Sequence, residues 1–488
     1  MFSILHISDL HRSKREPISN SELVSALIAD RERYVHEDPP IRPPDAITVS
    51  GDVIQGVRLG ESDYEAKLED QYRVAEEFLI ELSERFLAGD RSRIVIVPGN
   101  HDICWNTAKA AMSSVPDEEA PEDLRDILFS EGTEYRWDWK ERKLYLIRDH
   151  EQYARRLDSY WNFVEHFYRP LEPSLRPRRG ARAHIWSLDS GRIGVAAFDS
   201  CDGNDCYASH GSIPREVIAR THLDMIAPGR AFELRMAVWH HSIEGPPYRT
   251  DYMDVDLVRG MIGRGYRLGL YGHQHRAQAA PHQVYLPASE TMGVVSAGSL
   301  CAGANELPTG VHRQYSVVEI ADDYRSARVH VRAMLAANLF GRGTLNDQGG
   351  KSFAVLQWQP PMDISGRTLN VAVMRTETLL RDAEVALKGG RASESVGLLL
   401  PHLATLPAHG RRLFFEAAGS ANDWAALVTA SATPQTIGEL VARVDAQLQL
   451  GDSAGALASI EQHGAALELD PATARDLRER VSLRKGTT

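Results

Sequence analysis

The sequence predicts an α/β domain followed by an α-helical domain, on three observations. Short β-prone runs alternate with helical stretches in the N-terminal part of the chain, the signature of strands joined by crossover helices. Asp, Asn and His residues follow directly on the ends of those runs, where α/β sheets place their ligands. From about residue 367 the composition turns Ala- and Leu-rich and reads as helices. A chain of 488 residues has room for two or three domains.

Taken in order, residues 3–7 form the first run and end at Ser8-Asp9. Residues 46–50 end at Gly51-Asp52, and residues 94–97 end at Pro98-Gly99-Asn100. Residues 22–34 and 64–86 between them are helical, the second with apolar residues at three- and four-residue spacing. From about 105 to 185 the rhythm breaks: charge, Tyr and Trp accumulate among Pro116, Pro121, Pro170, Pro173 and Pro177. This predicts an inserted, mostly helical cap, with Tyr160, Trp161, Phe163, Phe167 and Tyr168 as its core. Strands then resume over 193–198, 234–239, 267–271 and 294–297, with a closing hairpin over 315–333. The α/β domain is assigned to 1–335, with the cap inside it. Residues 336–365 read as a linker or a last strand, and 366–488 as the helical domain. Within that domain, residues 387–400 and 448–461 resemble each other. They are a candidate solenoid repeat, with an ordinary helical bundle as the alternative.

Hydrophobic residues make up 43% and charged residues 25% of the chain, as in a soluble globular protein, and the net charge is −12. A dedicated nucleic-acid coat would be basic. A metal-dependent enzyme remains compatible, because ligand carboxylates add negative charge that bound cations reverse locally. The four cysteines form no CxxC pair and are expected as free thiols. Neither a basic leader with a long apolar stretch nor a membrane-length apolar run is present, so a cytoplasmic enzyme without membrane contact is expected.

Five clusters carry chemistry: Asp9-Leu10-His11, Gly51-Asp52, Gly99-Asn100-His101-Asp102, His240-His241 and Gly272-His273-Gln274-His275. Each is weak alone. Five in order, each after a strand, point to a cage for divalent ions, which take carboxylate, imidazole and amide oxygen donors. Asp9 and His11 lie two apart in what reads as an extended segment, so both face one way, as do His273 and His275. Asp52, with two oxygens, is a natural bridge, and Asn100 offers an amide oxygen. Two metals about 3.5–4 Å apart clamp a phosphate and lower the pKa of a bridging water.

These clusters resemble the calcineurin-like metallophosphoesterase superfamily over about residues 1–333. Softer matches are Leu188-Asp189 or Phe198-Asp199-Ser200 as an internal strand end, Gly211-Ser212-Ile213 and Ser296-Ala297-Gly298-Ser299. The resemblance implies a β-sandwich flanked by helices with metals at strand ends. It implies one metal on Asp9, His11, Asp52 and His275, and another on Asp52, Asn100, His240 and His273. His101 is left for proton transfer to the leaving oxygen. Phosphatases of the superfamily carry an Asp three residues after the bridging Asp, where this chain has Gln55. The orienting partner of His101 is therefore open, with Asp102 as a candidate that could instead stabilise its turn.

Arg12 and His241 are candidate substrate contacts. Lys14 and Arg15 read as solvated, and so does the basic run Arg176, Arg178, Arg179 and Arg182. Trp105 could wall the pocket or lie in the core, and residues 201–206 read as a surface loop. The expected activity is two-metal hydrolysis of a phosphodiester by a bridging hydroxide, as a nuclease or nucleotide phosphodiesterase. The alternatives are a phosphomonoesterase and a partner-docked effector whose helical domain binds another protein. Mn is the expected metal, with Fe, Zn or Ni as alternatives for an O/N site.

Overall fold

The computed structural model describes all residues except 14–17, 129, 131, 244–250, 286–288, 304–305, 346–349, 360–370, 468 and 486–488. The first runs form β1 (Phe2–Ile7), β2 (Ala46–Ser50) and β3 (Ile94–Val97), parallel to one another and buried throughout. Burial on both faces is what continuous apolar runs of parallel strands provide for. The helices Asn20–Arg31 and Tyr64–Leu87 make the crossovers. Ser19 caps the first by accepting from Glu22 N. The second buries Leu68, Tyr72, Ala75, Phe78, Leu79 and Leu82 along one stripe.

The insertion after β3 carries more helix than strand, as expected, and a small sheet that was not expected. It holds the helices Trp105–Ala110, Leu124–Leu128, His150–Ala154 and Asp158–Phe167. It also holds a three-stranded antiparallel sheet of β4 (Met112–Ser114), β5 (Tyr135–Asp138) and β6 (Lys143–Ile147), with β6 in the middle. These strands are short and interrupted by charge, so no period of two stands out. A second correction concerns the insertion's aromatic residues. Tyr160, Trp161, Phe163, Phe167 and Tyr168 join the main core, not a separate cap core. The hydroxyls of Tyr160 and Tyr168 donate to the β3 carbonyls of Ile96 and Ile94.

The second sheet contains β7 (Ala183–Leu188), β8 (Ile193–Phe198), β9 (Leu234–Val238), β10 (Leu268–Tyr271), β11 (Ala277–Tyr285) and β12 (Ser289–Ala297), in the order β11-β12-β10-β9-β8-β7. β8, β9, β10 and β12 run parallel. Alternate residues serve two cores. Met236 and Val238 face the core shared with the first sheet, while Ala237 and Trp239 face the helices Arg215–Met225 and Val255–Gly263. The first sheet is completed by β13 (Gln314–Ile320), β14 (Ser326–Met334), β15 (Phe340–Arg342) and β16 (Phe353–Gln357). β13 lies antiparallel beside β1, and both β15 and β16 pair with β14. Seven strands in one sheet and six in the other make an α/β sandwich flanked by helices.

The chain forms two compact units. One is Met1–Val284 with Ser289–Asp363, and the other is Ile364–Thr488 with Tyr285–Ala288. The second is helical from Val371–Lys388 to Pro471–Lys485. It has two buried clusters, one around Leu399, Phe414 and Leu427, the other around Leu440, Val444 and Ile460. Gly390 and Gly451 each have positive φ and precede the helices Ala392–Leu399 and Ser453–His463. The two similar sequence stretches thus form the same helix–glycine–helix corner. Among the described residues, no helix is long and apolar enough to cross a membrane.

Candidate metal centre

β1, β2 and β3 deliver Asp9, His11, Asp52 and Asn100 just past their carboxyl ends, and β9 and β10 deliver His240, His273 and His275. The delivering segments are not extended, contrary to expectation. Asp9, His11, Asp52, His273 and His275 have φ of 49°, 44°, 50°, 76° and 52°. Left-handed backbone costs a residue with a β-carbon roughly 1–3 kcal/mol, and such strain concentrates at functional sites. Cross-bracing holds the turns. Asp9 N donates to Gly51 O at 3.1 Å, His11 N to Asp52 O at 3.0 Å and Gly272 N to His240 O at 3.0 Å. Ser299 Oγ, in one of the softer motifs, donates to Asp9 O at 2.8 Å. Two glycines allow close approach: a β-carbon would sit 1.8 Å from Ser8 Oγ at Gly272 and 2.2 Å from Asp52 Oδ1 at Gly99.

The donor atoms converge in two sets. In the first, His11 Nε2 and His275 Nε2 are 3.1 Å apart, and Asp9 Oδ1 is 3.3 Å from His275 Nε2. Asp9, His11, Asp52 and His275 offer ligand atoms that all lie within 4.8 Å of one another. In the second, Asn100 Oδ1 lies 3.0 Å from His240 Nε2 and 2.9 Å from His273 Nδ1. Asp52 Oδ2 joins the sets, at 3.3 Å from His240 Nε2 and 4.0 Å from His11 Nε2.

Tautomers show what this convergence is for. His240 Nδ1–H donates to Ser50 O and His275 Nδ1–H to Glu306 O, both at 2.8 Å. Their inward Nε2 atoms are thereby bare acceptors in the neutral ring. Each faces another acceptor, an amide oxygen in one case and carboxylate oxygens in both. Acceptors packed against acceptors need a cation between them. Burial pushes His240 and His275 down, but Asp52 and Asp9 outweigh it and lift each to about 9. Burial likewise raises Asp9, and His275 more than offsets this, holding it at about 2. The field that would bind protons here suits divalent cations equally, and the N/O donor set fits them.

His101 stands outside both sets. Its Nδ1–H donates to Gln55 O at 2.8 Å, and its ring packs edge-on to His11 at 4.6 Å between centroids. The carbonyl of Gln55, not a carboxylate, sets its tautomer. The Gln55 side chain donates to Glu306 Oε1 at 2.7 Å, so Glu306 braces both the His101 turn and His275. Asp102 is turned away. It accepts from Gly99 N, Val53 N and Tyr72 Oη, and burial, then Asp52, raises it to about 7. Its role is in the turn.

Two expected substrate contacts are corrected. Arg12 is buried, donating to Asn20 Oδ1, Ile18 O and Cys301 Sγ, so its guanidinium has been drawn into the protein. His241 is also fully buried; Ser200 Oγ lies 2.9 Å from its Nδ1, and the Asn204 amide donates to Nε2 at 3.3 Å. It buttresses the neighbouring rings instead. Residues 201–206 are not a surface loop: Cys201, Asn204 and Asp205 are buried. Lys14 and Arg15 lie outside the described residues. Arg179 and Arg182 pair with Glu165 and Asp202, and Trp105 is 36% exposed, not core. All four cysteines are free thiols. Sequence reasoning missed Ser50, Ser200, Asn204 and Glu306; only Ser200 had a signal, in the Asp199-Ser200 strand end.

No curated protein matches the sequence. Among solved structures, a dimetal phosphatase from Danio rerio aligns with a TM-score of 0.39 and 9% identity, over 73% of this chain and 99% of that one. The calcineurin-like phosphoesterase YfkN from Bacillus subtilis aligns with a TM-score of 0.29 and 13% identity, over 79% and 98%. Likenesses this shallow carry no argument. The profile of the calcineurin-like phosphoesterases matches residues 2–277, more than half of the chain, and the chain therefore belongs to that family of metal-dependent phosphoester hydrolases.

Proposed function

We propose that the chain is a two-metal phosphodiesterase acting on a nucleic acid or nucleotide. The pair of donor sets joined at Asp52 carries this reading. Asp9, His11, Asp52 and His275 would hold one divalent cation, and Asp52, Asn100, His240 and His273 the other. Such a pair neutralises phosphate charge and makes water a nucleophile at neutral pH.

The chain's own residues orient and supply protons. The carbonyls of Ser50 and Glu306 keep the Nε2 lone pairs of His240 and His275 inward. The Gln55 carbonyl keeps a proton on His101 Nδ1, leaving Nε2 as the atom that exchanges one. Protonated His101 gives its Nε2 proton to the leaving oxygen as the P–O bond breaks, and the ring becomes neutral. Preference for a diester is supported by Gln55 in place of the phosphatase Asp, and by the Gly272-His273-Gln274-His275 ending, which resembles the phosphodiesterase and nuclease branches of the family.

A panel with Mn²⁺ tests the reading, comparing a chromogenic diester, a monoester, cyclic nucleotides, and single- and double-stranded DNA and RNA. Asp52→Ala is expected to lose more than about a hundredfold in turnover and most bound metal. His101→Ala is expected to lose about 10²–10⁴-fold in turnover and to keep its metal. Full metal-dependent activity in Asp52→Ala would overturn the site assignment. A monoester hydrolysed faster than every diester would overturn the substrate class.

A further inference from the structure

Beside the second donor set, the inserted sheet, the loop after β8, Ile243 and residues 252–257 line a cleft of about 580 Å³, a volume typical of small-molecule sites. Gly211 lines it and packs directly on His241, where a β-carbon would fall 2.3 Å from the imidazole. The His241 ring is in turn 4.9 Å from that of His273. Tyr252 lines another wall and follows Asp251, whose carboxylate is 3.6 Å from His273 Nε2. Two independent walls therefore abut the same proposed ligand.

β5 contributes Trp137, and the turn that follows it contributes Trp139. The two rings meet edge to face at 6.2 Å between centroids, and Trp139 is still 77% exposed, so much of its indole surface is open to a ligand. Tyr207 also lines the cleft, its ring fixed by stacking on Tyr145 at 5.1 Å. Among the described residues of the lining, Asp254 is the one carboxylate, and it is engaged in capping the helix Val255–Gly263. In a chain of net charge −12, an aromatic cleft with so little negative charge suits an anionic ligand that carries a flat ring. Aromatic platforms beside a phosphate site are how bases of single-stranded nucleic acids are held.

We propose that this cleft takes the nucleobase next to the scissile phosphate, with Trp139 as a stacking face. The proposal rests on the phosphodiesterase reading and adds to it the place where the base of the substrate is held.

Two measurements test it. The first compares thymidine nitrophenyl phosphate with methyl nitrophenyl phosphate, which share the leaving group and differ in the nucleoside. Trp139→Ala is expected to lower kcat/KM about tenfold for the nucleoside ester and less than about twofold for the methyl ester, with Trp139→Phe restoring most of the difference. The second reads binding without turnover, by fluorescence anisotropy of a labelled oligothymidylate on the full chain in EDTA. Trp139→Ala is expected to weaken binding about tenfold, to the level at which the wild type binds an abasic oligomer of equal length. Equal losses on both esters, or equal wild-type affinity for intact and abasic oligomers, overturns the proposal. If the wild type hydrolyses neither ester, the phosphodiesterase reading fails. The anisotropy comparison then decides the cleft alone: weaker binding by Trp139→Ala supports it, and unchanged binding overturns it.

Discussion

His101 Nδ1–H donates to the Gln55 carbonyl at 2.8 Å, and the Gln55 side chain donates to Glu306 Oε1 at 2.7 Å. Glu306 also accepts from Gly303 N and receives His275 Nδ1–H on its own carbonyl. One exposed carboxylate thereby ties the proton donor's turn to a proposed metal ligand. Glu306→Ala keeps the carbonyl but frees both turns. The expected result is a fall of about tenfold in kcat, within the range for outer-shell partners, with KM and metal stoichiometry close to wild type. Steady-state kinetics with metal analysis checks this, and unchanged kcat would remove Glu306 from the machinery. The same residues show what a sequence reveals of a site. That Asp9, His11, Asp52, Asn100, His240, His273 and His275 converge was legible, because the expectation of a cation cage singles out particular side chains at strand ends. The carbonyls of Ser50, Gln55 and Glu306 were not, because every residue has one. Arg12 departs from expectation for a related reason: its position after His11 places it near the centre, but its direction depends on Asn20, past the end of the turn, and on Cys301, distant in sequence.

A buried ion pair ties elements near the centre. Arg136, in β5, donates from Nε to Asp205 Oδ2 at 2.6 Å and from Nη2 to Gly203 O at 3.0 Å. Tyr153 Oη donates to the same Asp205 oxygen at 2.7 Å. This joins the inserted sheet to the loop after β8, whose Asn204 touches His241. Arg136 and Asp205 are 4% and 3% exposed. Removing one partner of a buried pair strands the other charge and costs about 3–5 kcal/mol. Arg136→Ala is expected near the lower figure, since Asp205 keeps Tyr153 and the Tyr207 and Ala208 amides. Urea unfolding measures it, and a loss below about 1 kcal/mol would contradict the buried-pair account. The parallel strands were readable as continuous apolar runs. β4, β5 and β6 were not, because half-exposed strands of three to five residues draw their stability from tertiary contacts such as this pair, not from local pattern.

Across the whole molecule, acid should act in two stages. Burial lowers His6 to about 3, with Asp9 opposing only weakly, and burial lowers His184 to about 4. Both are neutral in the fold, whereas an unfolded histidine titrates near 6.5. Below about pH 6.5 the unfolded chain therefore binds more protons than the folded one, and stability falls with pH towards the folded values. The paired carboxyls respond later. Burial raises Glu37 and Glu319, but Arg332 and His330 outweigh it and hold each below its ordinary value. Their stabilisation is present above about pH 4.5 and is lost only as pH falls further. Asp102, raised by burial to about 7, takes up its proton in the fold over the same range and opposes this loss. The several lowered imidazoles outnumber it, so the guanidinium midpoint should still decline between about pH 7 and 5, before Glu37 and Glu319 contribute. His184→Gln removes one titrating group and should flatten that decline. His184 is on β7, in the sheet that delivers His240 and His273 but clear of both donor sets, so the flattening should appear with or without added Mn²⁺. A wild-type midpoint that stays level over this range would show that the buried imidazoles are not what makes the fold acid-sensitive.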